Sequence, residues 1–539
     1  MTYKGDEADA QYTTERYRVN ICRDIHFETG AQLLHAEQLI YGKASTDVEV
    51  TPGRWTALST PLRDVVAGDW YVPSQTGQED AEYFTDIKFD KNINNRLKPA
   101  IYQRTWADGA KIVKQGGSTT PVSFTAAWSA VYNDAHAAYA PGSGFSLKAA
   151  AVSQGQNLLV RLPKADAQYD YDVATGSAPS RTNAGRLLVT GLLNRSNPLQ
   201  YSPQNEVTAT LTPSPATTEG GPRYLMVGNP YMAPMSMQAF VEGNLESGAI
   251  TPAYWVEQAD GSVLTDTYDE NSGWTQPDVL IPPYGVAYVQ VVDNSAPDVK
   301  VRFTADMQQL AEHTTGDDAT TQAFTLTATD DQGCTSRAAV AYSSRATDAY
   351  GPEDAALLTG LSGNATAAPQ VYTVAGNTAV SVNWLKDAQQ IPLGVFAATE
   401  DDEVTLTFTG LGALRSPRLY DAELNTETLL SEGYQLTVKG SSHGRYFLRS
   451  LGGALTGLTP TTTDPELTVY SVRPGELIVS SNATLQSVQV FTADGRRLSP
   501  VVQSQSNCVW RLSGVDKGVV LIKATAGNRQ QVVRKAMVK

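Results

Sequence analysis

Apolar and polar positions alternate in short runs along most of the chain, and long apolar stripes of helical period are nearly absent. Period-2 alternation bounded by Gly, Pro, Asn and Ser is the signature of half-buried strands joined by turns. Between about Tyr17 and Leu199, "RWTALSTPL" from Arg54, "RLKPAIYQRTW" from Arg96, "AAWSAVY" from Ala126 and "GRLLVTGLL" from Gly185 fit that pattern. Pro141-Gly142-Ser143-Gly144 marks a turn before the strand "FSLKAAAV". The chain is therefore expected to be all-β, with several β-sandwich domains of jelly-roll or Ig-like type in tandem.

Breaks in the pattern divide it. Residues 1–205 read as an N-terminal β-sandwich, and 206–312 as a second β-domain carrying the segment "GNPY". Residues 197–223 are rich in Pro, Thr and Gly, a connection containing one strand, "EVTATLT". Ser236 is placed to cap a short helix through Phe240, and Asp260-Gly261 to turn a hairpin. Polar linkers are expected at 311–322 and 453–466. Between them, residues 323–452 hold strands spaced as in an Ig-like sandwich, and 466–539 form a small terminal sandwich. The first two segments share a grammar: a Trp/Tyr strand, a Pro turn (Thr60-Pro61, Asn229-Pro230), then a Pro/Gly turn into a strand. Duplication and the common grammar of sandwiches both produce it.

Composition narrows the function. A chain of 539 residues exceeds a single core. Its net charge of −15 argues against nucleic acid and against anionic membranes as partners. Yet the last 23 residues, Lys517 to Lys539, carry six Lys or Arg and no acid. Three distant cysteines, Cys22, Cys334 and Cys508, imply no disulfide framework. No apolar run is long enough to span a membrane as a helix. The first residues lack the apolar core of a signal peptide, so the expectation is either a cytoplasmic protein or part of a longer precursor.

The motifs of common chemistries are missing. The five histidines show no metal-ligand spacing, and neither a GxSxG elbow nor a phosphate-binding glycine loop occurs. No cofactor, metal or catalytic residue is expected. The acidic runs at 315–321, 329–333 and 399–403 lack EF-hand spacing and read as solvated turns. The sequons at Asn194, Asn364 and Asn482 match chance for a Ser/Thr-rich chain. Of the aromatic residues, Trp70, Tyr71 and Trp274 adjoin polar, turn-like segments, and are the candidates for an exposed face that stacks on a sugar.

The terminal segments "LIVSSNATLQSVQVFTADGRRL" (477–498) and "LSGVDKGVVLIKATAGNRQQVVRKAMVK" (512–539) resemble the C-terminal sorting domain of Bacteroidetes proteins exported by type IX secretion. Val488, Val490, Phe491, Gly495, Arg496 and Leu498 match its hairpin, and Lys517, Gly518, Lys523 and Lys539 its final strands. Val519 stands where that family usually has Tyr, and "VYSVRPGEL" replaces its usual opening. "GNPY", "IPPYGVAYVQV" and "IPLGV" are similar to segments preceding such domains in large surface proteins. The resemblance implies export, a secretion machinery as partner, and an extracellular or outer-membrane location. The expectation is a non-enzymatic adhesin or stalk that binds a glycan or a host protein. Accessory domains of a secreted glycosidase or peptidase are the alternative reading, and a self-associating surface-layer component is a third.

Overall fold

Strand Val207–Leu211 reads buried, exposed, buried, exposed, buried, and Val299–Phe303 repeats the pattern. The two pair antiparallel from Val207↔Phe303 to Leu211↔Val299, so every inward side chain of one meets an inward side chain of the other. The same logic runs through the protein. The computed structural model describes residues 20–36, 39–66, 69–72, 82–83, 101–116, 120–129, 138–149, 157–163, 187, 190–193, 201–204, 206–215, 221–309, 323–364, 368–414, 416–450, 467–471, 475–481, 485–493, 495–505, 509–526 and 531–538. Among these residues strands dominate, with two α-helices, Trp106–Gly109 and Met237–Leu245. The chain is all-β. Both expected linkers, at 311–322 and 453–466, lie outside the described residues.

In the first segment, Asn20–Phe27, Leu39–Val50, Leu158–Leu162, Tyr71–Val72 and Glu82–Tyr83 form one sheet. Thr56–Leu58, Phe145–Ala149 and Ile101–Thr105 form another. The second segment centres on an antiparallel sheet in the order Tyr224–Gly228, Val286–Val291, Ile250–Glu257, Val263–Asp269, Gly273–Trp274. Its helix begins where expected: the Ser236 hydroxyl accepts from the Ala239 amide at 2.9 Å. It runs on to Leu245 because Met237, Phe240, Val241 and Asn244 fall on one buried face. The Asn244 amide locks that face to the neighbouring strand, donating to Arg302 O and accepting from Arg302 N, each at 2.8 Å.

The third segment builds an eleven-stranded sheet over residues 324–449. Strand Thr335–Tyr342 pairs parallel with Thr378–Leu385, and antiparallel hairpins extend the sheet on both sides. Val404, Leu406 and Phe408 near one end share a core with Ile391, Leu419 and Leu448 near the other, so the sheet closes over its own apolar face. The terminal segment stacks two four-stranded sheets on Leu477, Val479, Val490, Leu512, Val520 and Ile522.

The turn motifs fit together by close backbone approach. The Asn229 side chain of "GNPY" is fully buried; it donates to Ala233 O, Ile281 O and Pro282 O and accepts from Tyr231 N, joining that turn to "IPPYG". Gly228 N donates to Gly142 O at 2.8 Å, and a Cβ at Gly228 would lie 2.4 Å from the Ser59 Cβ. The Ser59 hydroxyl in turn donates to Gly285 O at 3.0 Å. Three turns from two segments are thereby one unit. Removing the Asn229 amide strands several buried carbonyls, each costing about 1–3 kcal/mol. Asn229→Ala is expected to destabilise the protein by roughly 3 kcal/mol or more in urea unfolding, while Lys386→Ala, at an exposed bend, changes it by about 0.5 kcal/mol or less.

Candidate functional site

Two of the three aromatic residues picked out for sugar stacking, Trp70 and Trp274, lie inside the protein. Trp70 is fully buried; its Nε1 donates to the Tyr139 hydroxyl at 2.9 Å, which donates to Gln103 Oε1 at 2.7 Å. Trp274 is buried between Tyr254 and Tyr268, with Nε1 donating to Glu242 Oε1 at 2.6 Å. The polar neighbours that suggested exposure are the hydrogen-bond partners these indoles need inside. Tyr71 lies on a short strand opposite Arg161 and Tyr83, and its side chain lies outside the described residues. Among the described residues Tyr102 is the one exposed aromatic, at 38%.

Strand pairing brings Ser45, His26, Asp47 and Arg161 together. His26 and Ser45 face each other across parallel strands, with Ser45 Oγ 2.8 Å from Nδ1 and Asp47 Oδ2 3.0 Å from Nε2. These are the side-chain types of a hydrolase triad. However, the Arg161 guanidinium already grips both Asp47 oxygens, at 2.6 and 3.0 Å. A triad carboxylate must stabilise the imidazolium. Here it serves a fork-shaped ion pair, so the cluster ties strands together. Among the described residues, no group of three His, Cys, Asp or Glu is placed to hold a metal. The carboxylates of two acidic runs cap turns: Asp330 accepts from Gln332 N and Cys334 N, and Asp402 from Thr399 N. The run at 315–321 lies outside the described residues, as do Asn194 and Asn482.

The terminal segment does present a surface. Its residues 467–539 hold ten Lys or Arg and three Asp or Glu, a net +7, and the preceding 466 residues hold −22. Along Gly518–Ala526, Val520, Ile522 and Ala524 point inward, so Val519, Leu521 and Lys523 point outward. Their cross-strand partners are Met537, Lys535 and Val533, and on the other side Phe491 and Gln489. Val533 is 53% and Met537 64% exposed, on a strand at the sheet's edge. The result is an apolar face studded with lysines.

The motif residues fall in and around this face. Val490 is a core residue, Val488 is half-buried, and Gly495 takes φ +88° in the hairpin, its N–H donating to Thr492 O. Arg496 and Lys517 are exposed, Gly518 opens the strand at φ +140°, and Lys539 lies outside the described residues. The hairpin was legible because a turn with positive φ demands Gly.

The feature that single-strand patterns concealed is where three segments meet. Arg104 is 4% exposed, its guanidinium sandwiched between the rings of Trp55 and Trp128 at 3.8 Å from each centroid. Burial pulls it down to about 10, so it keeps its charge at neutral pH. Nη2 donates to Ser362 O in the third segment. Trp128 meets Trp106 edge-on, and Trp106 leans on Tyr288 of the second segment. Asn364 clasps the Trp55 backbone, accepting from N at 2.9 Å and donating to O at 2.7 Å. That sequon asparagine is therefore part of the joint. None of these contacts has a local signature, because the partners are up to 309 positions apart.

No family model matches the chain, and no curated protein matches it. Among solved structures, a tetra-tandem repeat in the extending region of a large adhesion protein is similar over 59% of this chain and 95% of its own, with 11% identity and a TM-score of 0.12. The BSP domain of a biofilm-associated protein is similar over 91% of this chain and 99% of its own, with 9% identity and a TM-score of 0.15. The fold stands on the sheets described above.

Lysine at position 104 keeps the charge but loses the flat guanidinium that stacks between two indoles. Arg104→Lys is expected to cost roughly 1–3 kcal/mol in equilibrium unfolding. Exposed Lys111→Met is expected to stay within about 0.5 kcal/mol.

Proposed function

We propose that this chain is a non-enzymatic surface or secreted protein of a Bacteroidetes bacterium, an adhesin-like stalk exported through its C-terminal domain by a type IX secretion machinery. The observation that carries the reading is the terminal segment. It has a core of its own, a charge opposite to the rest of the chain, and an apolar, lysine-studded outer face around the motif residues. Such a face suits recognition by a partner, since contiguous exposed apolar surface is otherwise a liability on an edge strand. The remaining segments supply what a stalk needs: they interlock through shared cores and buried aromatic contacts. The ligand of the stalk is a host protein or a glycan. With Trp70 and Trp274 inside the core, a glycan would have to be held by groups other than those indoles.

The test is made in cells of the source organism. Intact cells are labelled to quantify surface protein, and the C-terminal peptide of that form is identified by mass spectrometry. Surface protein is expected, and Lys523→Glu combined with Lys535→Glu is expected to lower it by roughly tenfold at constant total protein. Wild-type protein confined to the cytoplasm, or equal surface display of the charge-reversed variant, would overturn the export reading.

A further inference from the structure

Three side chains form a row across the sheet of Thr56–Leu58, Phe145–Ala149 and Ile101–Thr105. Tyr102 lies directly opposite Lys148 in the antiparallel pairing, so both project from one face. The Lys148 ammonium stands 5.8 Å from the Trp55 ring, and Trp55 leads into the strand on the far side of Phe145–Ala149. The next row along the strands is closed. There Ser146 lies opposite Arg104 and Ala57, and the Arg104 guanidinium covers the Trp55 ring as part of the joint. The first row reaches water: Tyr102 is exposed, and Lys148 and Trp55 are half-buried.

Two properties set this row apart. Its lysine has no counter-charge: among the described residues no carboxylate pairs with Lys148, although the body of the protein up to residue 466 carries −22. Arg54, beside Trp55, is turned to the second segment, where it donates to Ala259 O. The rings are also fixed in advance. Trp55 is held through its backbone by Asn364 and on its ring by Arg104. Tyr102 sits on a strand paired over its whole length, from Ile101 to Thr105. A ligand that lands here orders little of the protein on binding, which favours affinity.

We propose that Tyr102, Lys148 and Trp55 form a subsite for an acidic sugar, a pyranose that carries a carboxylate. The C–H face of a pyranose is apolar and lies flat on the Tyr102 ring. Opposite side chains on paired strands are about 5 Å apart at Cβ, so the carboxylate of a sugar stacked on Tyr102 reaches the Lys148 ammonium. That ammonium gives up no ion pair to take it, and the bond it makes is charge-assisted. Trp55 walls the site beyond the lysine. A neutral sugar has the ring to stack on but leaves the cation unpaired, so the row discriminates by charge. The proposal rests on the glycan reading above and narrows it to one class of sugar and one face of the first segment.

The test is calorimetric titration of the purified full chain with two acidic probes, sialyllactose and tetragalacturonate. Their neutral counterparts are lactose and the methyl-esterified tetragalacturonate. Binding of at least one acidic probe is expected, with its neutral counterpart weaker by roughly tenfold or more. Lys148→Met is expected to weaken the acidic probe by about tenfold, and Tyr102→Leu by about fivefold. Tyr102→Phe, which keeps the ring, and Lys111→Met, an exposed lysine outside the row, are expected to bind as the wild type does. Urea unfolding of each variant checks that the fold is intact. The subsite is overturned if neither acidic probe binds at about 10 mM, if a neutral counterpart binds equally well, or if a folded Lys148→Met or Tyr102→Leu variant keeps wild-type affinity. A chain displayed on cells that binds neither probe keeps the export reading and loses this one; a chain that binds but stays in the cytoplasm does the reverse.

Discussion

The joint around Arg104 is the constraint on which the body of this protein turns. A guanidinium taken out of water must be compensated, and here two indole faces and a loop carbonyl supply part of that, while Nε is left without a hydrogen-bond partner. Trp55, Arg104 and Trp128 come from the first segment, Tyr288 and Glu257 from the second, and the loop Leu361–Asn364 from the third. None of these segments could finish burying its own polar groups at this point. Strand Leu358–Thr359 of the third segment also pairs in parallel with Ser123–Trp128 of the first. Backbone pairing, stacking and hydrogen bonding therefore converge on one place.

The consequence is a body whose units are joined by cores. Trp106, Trp255 and Trp384, one from each segment, lie in a single buried cluster. Met232 and Tyr284 of the second segment complete the core of the first. Beads on flexible linkers would move independently; this arrangement transmits position from one segment to the next. The terminal segment differs in kind. Its core draws only on its own residues, and the charge it carries is opposite to that of the body. A module with its own core can be recognised, or removed, without unfolding its neighbours.

Strand character, the hairpin at Gly495, the helix cap at Ser236 and the turns at Gly142 and Asn229-Pro230 were all legible in the sequence. Each depends on neighbours within a few positions: alternation fixes which side chains face inward, and a positive φ or a tight turn demands Gly, Asn or Pro. The stacking candidates were not legible. Polar residues beside Trp70 and Trp274 look the same along the chain whether the indole faces water or a buried acceptor. Only Tyr139 and Glu242, distant in sequence, decide that both are inside.

The sequence by itself determined that this is an all-β chain of several segments, acidic in its body and basic at its end. Those properties are local sums of propensity, period and charge. Tertiary structure alone decided that three segments share cores, that Asn229 and Asn364 are structural clasps, and that Arg104 and Glu257 face a common loop from different segments. The physical reason is distance along the chain: desolvation and stacking act between groups close in space, and here those groups are as many as 309 residues apart.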